Sequence, residues 1–299
     1  MGYGSYSYEA HQAITAQRAA VPAQQVFTQR KIHPLMDPKG VKYRESRDSA
    51  DHPNTTSIVF ALDVSGSMGA IPEQIARTEL PTFMKALLDA GVADPQVLFM
   101  AFQDAAGGVA PLQVGQFEST AQLMDQWLTW CWLMGGGASA YESYDLAFHF
   151  VAHHTKMDSY EKRGKKGYFF MTGDEPCYDA LKAQWVKQFV GDELPGDVPL
   201  AQVIADCKRT FHPFFLVPDP KRGANVAPFW SRYLGESTIV LASPEDTCPV
   251  AAGIVALQEG AVSDLAALSK RLVAAGLPAA RVDRVARALE PWARTIGKV

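Results

Sequence analysis

The sequence predicts an α/β fold: a doubly wound, mostly parallel central sheet flanked by helices, with an N-terminal arm and C-terminal helices. Three observations predict it. Short unbroken apolar runs at 58–62, 96–102 and 167–172 are bounded by polar or turn residues, as strands buried on both faces are. Segments of helical period lie between these runs, and strand–helix–strand is the unit of a parallel sheet. The first run ends in Asp63-Val64-Ser65-Gly66-Ser67, which delivers oxygen donors to the carboxyl edge of the sheet, where open α/β folds place their sites.

The 299 residues are enough for one large domain with extensions or for two small ones. The division expected is an arm at 1–56, an α/β domain at 57–260 and a helical extension at 261–299. Apolar content of 47% and charged content of 20% are those of a globular protein. A formal charge of −4 gives no general reason to expect nucleic acid as a partner. Cys131, Cys177, Cys207 and Cys248 are far apart without a CxxC pair, and read as reduced thiols in a cytoplasmic protein, with neither zinc site nor disulfide framework. Residues 1–5 lack the basic region and apolar core of a signal peptide. No apolar run approaches the ~20 residues that span a bilayer, so no membrane association is expected.

In chain order, 8–20 reads as a short helix rich in Ala and Gln, ended by Pro22. The polar stretch that follows is punctuated by Pro34, Pro38, Gly40 and Pro53 and has no sustained period. It reads as an arm packed along the main domain, or docked on a partner or a second copy. After the first strand, Ile75, Leu80, Phe83, Met84, Leu87 and Leu88 fall at helical spacing over 72–90, with a kink or a break expected at Pro81. Gly91 ends that helix, and 96–102 is the second strand. Residues 109–117 form a weaker edge strand, since Pro111 cannot donate to a ladder.

Ser119 is placed to cap a helix running through Trp132, whose tryptophans read as packing groups. Glycines 135–137 break the chain before a helix at 141–155. A basic turn at 162–166 leads into the strand 167–172. Helices are expected at 178–190 and 199–209, and a strand broken by Pro213 at 211–217. A short helix at 226–234, a last strand at 238–241 and a helix at 244–259 complete the domain. Beyond 261, two helices at 265–275 and 279–290 meet at Gly276-Leu277-Pro278, and their modest excess of Lys and Arg reads as a solvated face.

The chemistry concentrates in the loop after the first strand. Asp63, Ser65 and Ser67 alternate along the backbone and converge as the chain turns. One carboxylate and two hydroxyls are hard donors that suit Mg²⁺, with Mn²⁺ or Ca²⁺ as substitutes, and suit zinc poorly. They cannot fill an octahedron, and neutral hydroxyls leave the ion's charge undercompensated, so it favours a carboxylate supplied from outside. Two other strand ends can complete the site. One is the loop 135–139, through Ser139 or, one helical turn on, Ser143, with Glu142 close by. The other is Asp174 or Glu175, after the strand 167–172.

Residues 58–69 resemble the opening strand and first metal loop of a von Willebrand factor A (VWA) domain, whose Asp-x-Ser-x-Ser begins the metal-ion-dependent adhesion site (MIDAS). The resemblance covers about residues 57–258. The family's second loop carries Thr where this chain has Ala138 or Ser139, and its third reads Thr-Asp-Gly where this chain has Thr172-Gly173-Asp174. The resemblance implies metal ligands Asp63, Ser65, Ser67, Ser139 and Asp174, and divalent-metal-dependent protein binding in which an acidic residue of the partner completes the coordination. It further implies a bacterial, intracellular setting beside AAA+ ATPases or in multiprotein complexes.

Enzymatic readings fare worse. An aspartate-nucleophile phosphatase needs a second Asp two residues after the first, where Ser65 stands and cannot serve as acid and base. Neither a P-loop nor a Gly-x-Ser-x-Gly elbow is present. His149 and His153 stand four apart with His154 adjacent, a spacing that can bind a transition metal. The His-Glu-x-x-His order and an evident third ligand are missing, so they read as surface groups. The protein is therefore expected to be a non-enzymatic, metal-dependent binding module. The alternative is an assembly protein that binds through its arm and C-terminal helices and carries a degenerate or structural metal site.

Overall fold

The first strand, β1 (Thr56–Asp63), is buried along its whole length. In the computed structural model, which describes residues 6–19, 21–137 and 139–299, it lies inside a six-stranded sheet. The others are β2 (Pro95–Phe102), β3 (Leu112–Val114), β4 (Gly167–Thr172), β5 (Phe211–Val217) and β6 (Thr238–Val240). Their order is β6-β5-β4-β1-β2-β3. All neighbours are parallel except β3, which runs antiparallel to β2 at an edge. Sequence order reverses between β1 and β4. The carboxyl ends of the strands open a crevice there, and this is where doubly wound sheets bind ligands.

Alternation along the strands feeds two cores. Ile58, Phe60, Leu62, Phe99, Phe170 and Phe214 face one side, against helices Leu80–Asp89 and Thr247–Gln258. Val59, Ala61, Met100, Phe169, Met171 and Phe215 face the other, against Tyr144–His153, Leu200–Thr210 and Pro220–Leu234. The C-terminal helices Leu265–Ala274 and Ala279–Thr295 share the first core: Leu268 and Leu289 each come within 2.9 Å of where a Cβ on Gly253 would stand. The arm lies along the domain. Its helix Tyr8–Ala19 packs on Ala121–Thr129 with Arg18 paired to Asp125. Its strand Arg44–Ser46 pairs with Thr155–Met157, and Ser46 Oγ donates to the buried Gln96. Among the described residues no helix is long and apolar enough to cross a membrane.

Several local expectations are corrected. The break attributed to Pro81 is a π-turn at Ile75–Glu79, one residue before helix Leu80–Asp89; proline has no N–H for the carbonyl four residues back, and a wider turn absorbs the loss. The helix after Ser119 starts with Thr120 as N-cap and ends at Thr129. The Gln113 side chain takes both Trp132 N (2.8 Å) and Trp132 O (3.0 Å), which pulls that residue off the helix. Helix Tyr144–His153 is shorter than 141–155 because Glu142 bridges to Cys177 before it and Thr155–Met157 joins the arm after it. The expected helix 178–190 holds only in its second half: Ala180–Leu181 is a strand paired with Val198–Pro199, and the chain is helical over Ala183–Trp185 and, as a π-helix, over Val186–Val190. Strand β5 is unbroken at Pro213, which precedes the stretch Phe215–Val217 paired with β6, so its missing N–H costs no bond on that side.

Candidate metal centre

Asp63 is the last residue of β1 and is fully buried. Its Oδ1 accepts from Ser65 N at 2.9 Å, and its Oδ2 accepts from the Tyr144 hydroxyl at 3.0 Å. Ser65 Oγ and Ser67 Oγ lie 3.1 Å apart, and Ser67 Oγ donates to Asp174 Oδ1 at 2.8 Å. The loops after β1 and β4 are thus joined at the switch point by a side-chain hydrogen bond. Asp174 Oδ2 lies 3.1 Å from Arg222 Nε, and Arg222 also pairs with Glu175. Glu175 therefore turns to Arg222, and Asp174 is the acidic residue of this loop that reaches the serines.

The shifted third motif has a steric cause. A Cβ at position 173 would overlap the Tyr144 hydroxyl. No side chain fits directly after Thr172, and the carboxylate stands one residue later.

The second loop reaches the first through its backbone. Gly66 N donates to Gly136 O, and Gly135 N donates to Val64 O at 3.1 Å. Gly135 and Gly136 have φ of 63° and 84°, left-handed values that favour glycine. A Cβ on Gly66 would come 2.9 Å from Gly136 N, so both loops must be glycine at this crossing.

The expected hydroxyls of this loop are engaged elsewhere. Ser139 Oγ donates to Asp104 Oδ2 at 2.9 Å and lies 3.0 Å from the Tyr178 hydroxyl. Ser143 Oγ accepts from Ala105 N at 2.9 Å. Ala138 lies outside the described residues. The side chain that enters the cluster from this loop is Glu142, which is buried and interacts with Ser65 and with the charges of Asp63 and Asp174.

The electrostatics are those of crowded acids. Burial raises the pKa of Asp63, opposed by the Ser65 hydrogen bonds and reinforced by the charge of Asp174. Burial also raises Glu142, with the charges of Asp63 and Asp104 adding to it. Burial lifts Tyr144 well above its ordinary value, and the neighbouring Asp63 charge adds to the rise, so its hydroxyl stays protonated and donating. Glu142 Oε2 is buried with no hydrogen-bond partner among the described residues, and an unsatisfied buried carboxylate oxygen is costly. A divalent cation fits this set: it would satisfy the orphan oxygen and offset the repulsion. The carboxylates of Asp63 and Glu142 and the two serine hydroxyls are the kind of hard donor Mg²⁺ and its substitutes prefer, while Asp174 is paired with Arg222.

Sequence reasoning missed Tyr144 and Arg222, which read as an apolar helix position and a loop residue, and it noted Glu142 only as a neighbour. Two acidic groups at strand ends without a basic residue beside them were the available signal for a cation.

No family model matches the chain, and no curated protein matches it. Solved structures of similar chain path include the pilus adhesin SpaC from Lactobacillus rhamnosus GG in its open conformation (TM-score 0.46, 13% identity, 73% of this chain and 32% of that one). A von Willebrand factor type A protein from Catenulispora acidiphila aligns with TM-score 0.42 and 14% identity over 69% of this chain and 43% of that one. Proximal thread matrix protein 1 from the mussel byssus aligns with TM-score 0.41 and 12% identity over 75% of this chain and 47% of that one. The chain spans less than half the length of each.

Proposed function

We propose that this protein is a divalent-metal-dependent protein-binding module without enzymatic activity. The observation that carries the reading is the chain of contacts from Asp63 through Ser65 and Ser67 to Asp174 at the switch point, with Glu142 buried near it and one carboxylate oxygen of Glu142 unpartnered among the described residues. In this reading Asp63, Ser65, Ser67 and Glu142 would hold Mg²⁺, or Mn²⁺ or Ca²⁺ in its place. Asp174 is tied to Arg222 and acts through Ser67.

Gly66 and Ser67 are exposed, so the ion would be reachable from outside while Asp63 and Glu142 stay buried. Tyr141, next to Glu142 in sequence, is 43% exposed and stacked on Tyr178. An acidic side chain of a partner protein would take the outward position on the ion. The partner class carried over from the VWA resemblance is a multiprotein complex, including AAA+ ATPase systems.

The test is capture of partners from native-host extract by wild type and Asp63→Ala, each in Mg²⁺ and in chelator. The reading expects a set of proteins held by wild type in Mg²⁺ and absent from the other three arms. Equal capture in all four arms overturns it.

A further inference from the structure

A second cluster lies toward the C-terminal end of helix Tyr144–His153, whose first residue, Tyr144, contacts the proposed Mg²⁺ site. His154 ends this helix as its C-cap, with φ −118° and ψ 21°, and this departure from helical geometry lets its ring approach that of His149. Asp192 follows the left-handed Gly191 in the next loop. Its Oδ2 lies 2.9 Å from His149 Nε2 and 2.7 Å from His154 Nε2. The three donor atoms are mutually within 4.8 Å, and theirs is the group of His, Cys, Asp and Glu among the described residues with this geometry. Asp192 supplies the third ligand that the histidine spacing lacked.

The protons decide what the cluster can hold. His154 Nδ1 lies 2.8 Å from Val41 O and 3.2 Å from Lys42 O. A carbonyl only accepts, so Nδ1 donates to it, and Nε2 is the ring nitrogen that faces Asp192: without an ion it donates to the carboxylate, and an ion would take the place of that hydrogen. A backbone carbonyl bound to the distal ring N–H is how metal-bound histidines are oriented. Both histidines are nearly buried, while the Asp192 side chain is 33% exposed, which leaves an open position toward solvent.

We infer that His149 Nε2, His154 Nε2 and Asp192 Oδ2 form a binding site for a borderline transition-metal ion of the Zn²⁺ class. Two imidazoles and one carboxylate suit Zn²⁺ and are a poor set for Mg²⁺, so the site is chemically distinct from the cluster at Asp63. Bonds of about 2.0–2.2 Å at tetrahedral angles hold ligand atoms roughly 3.4 Å apart, so the ion enters as the three donors re-space to that separation, Asp192 moving outward from the two imidazoles on its loop. Water takes the remaining position. His153 is not a ligand: it is 47% exposed, and its Nε2 turns toward Asp206 at 4.0 Å. Because His154 holds Val41 and Lys42, and Gly40 N donates to Val190 O at 2.9 Å, the ion would also pin the arm to the domain.

The experiment is titration of the chelator-stripped full chain with Zn²⁺ by calorimetry and with Co²⁺ by visible absorption, for wild type, His149→Gln, Asp192→Asn, His153→Ala and Asp63→Ala. Wild type, His153→Ala and Asp63→Ala should bind one equivalent with intense four-coordinate Co²⁺ bands. His149→Gln and Asp192→Asn should bind ~100-fold more weakly. Melting temperatures of the stripped variants separate lost ligation from lost folding. Equal affinity in wild type and Asp192→Asn overturns the inference. So does a wild type that takes up no metal while His154 titrates by NMR as an ordinary imidazolium paired with Asp192.

Discussion

The Tyr144 hydroxyl donates to Asp63 Oδ2 at 3.0 Å and occupies the space that a side chain at position 173 would need. The Tyr144 side chain thus orients the carboxylate of the first loop and forces glycine into the third. Gly173→Ala should cost about 1–3 kcal/mol through overpacking and weaken Mg²⁺ binding by displacing Tyr144. Tyr144→Phe removes the nearest obstructing atom and leaves ring carbons 2.8 Å from where that Cβ would stand, so the double variant should recover part of the loss and be more stable than the sum of the two single changes predicts. Denaturant unfolding of the four proteins measures that coupling.

Glu142→Gln should move stability and ion binding in opposite directions. It removes one of three crowded acidic groups, so the metal-free protein should melt at a higher temperature, by a few degrees. The same change should lower Mn²⁺ affinity by at least about tenfold, or ~1.4 kcal/mol. Thermal melts with and without ion, beside calorimetry, check both halves; a lower melting temperature in the absence of metal would contradict the account of the cluster.

Asp63→Asn keeps an acceptor for Ser65 N and Tyr144 while removing the charge. Ion-induced stabilisation, which grows with the ratio of ligand concentration to Kd, should vanish in this variant while its circular dichroism matches wild type.

Acid sensitivity should trace partly to the arm. Arg163 hydrogen bonds hold the Asp48 carboxyl well below the usual carboxylate range. A depressed carboxylate pKa contributes stability above the unfolded-state value, and this is lost as pH falls. The contribution should be complete above about pH 5 and decline from about pH 4 downward. Asp48→Asn should therefore be less stable than wild type at pH 7, with the gap closing toward pH 2. Urea midpoints across that range measure it.

The C-terminal helices should behave as core. Leu289 is fully buried and packs over Gly253, so Leu289→Ala should cost about 2–5 kcal/mol, read as a shifted midpoint of a single cooperative transition.

The sequence by itself determined the sheet and its first loop. Uninterrupted apolar runs such as 58–62 are buried on both faces whatever surrounds them, and Asp63, Ser65 and Ser67 are close in the chain, so their convergence needs only a turn. The same holds for helices with clear period, such as Leu80–Asp89. Tertiary structure decided everything that depends on contact between distant segments. Ser139 and Glu142 are both polar residues near the glycine loop, and their spacing cannot say which one points inward. The bridge from Glu142 to Cys177 and the pull of Asp104 on Ser139 settle that choice. Gly173 read as a displaced motif until Tyr144, 29 positions earlier in number, was seen to fill its place. His149 and His154 lacked a third ligand because Asp192 is brought to them by a loop whose course is fixed by the arm and not by local propensity. Local pattern encodes which side chains are buried; which of them meet is set by packing.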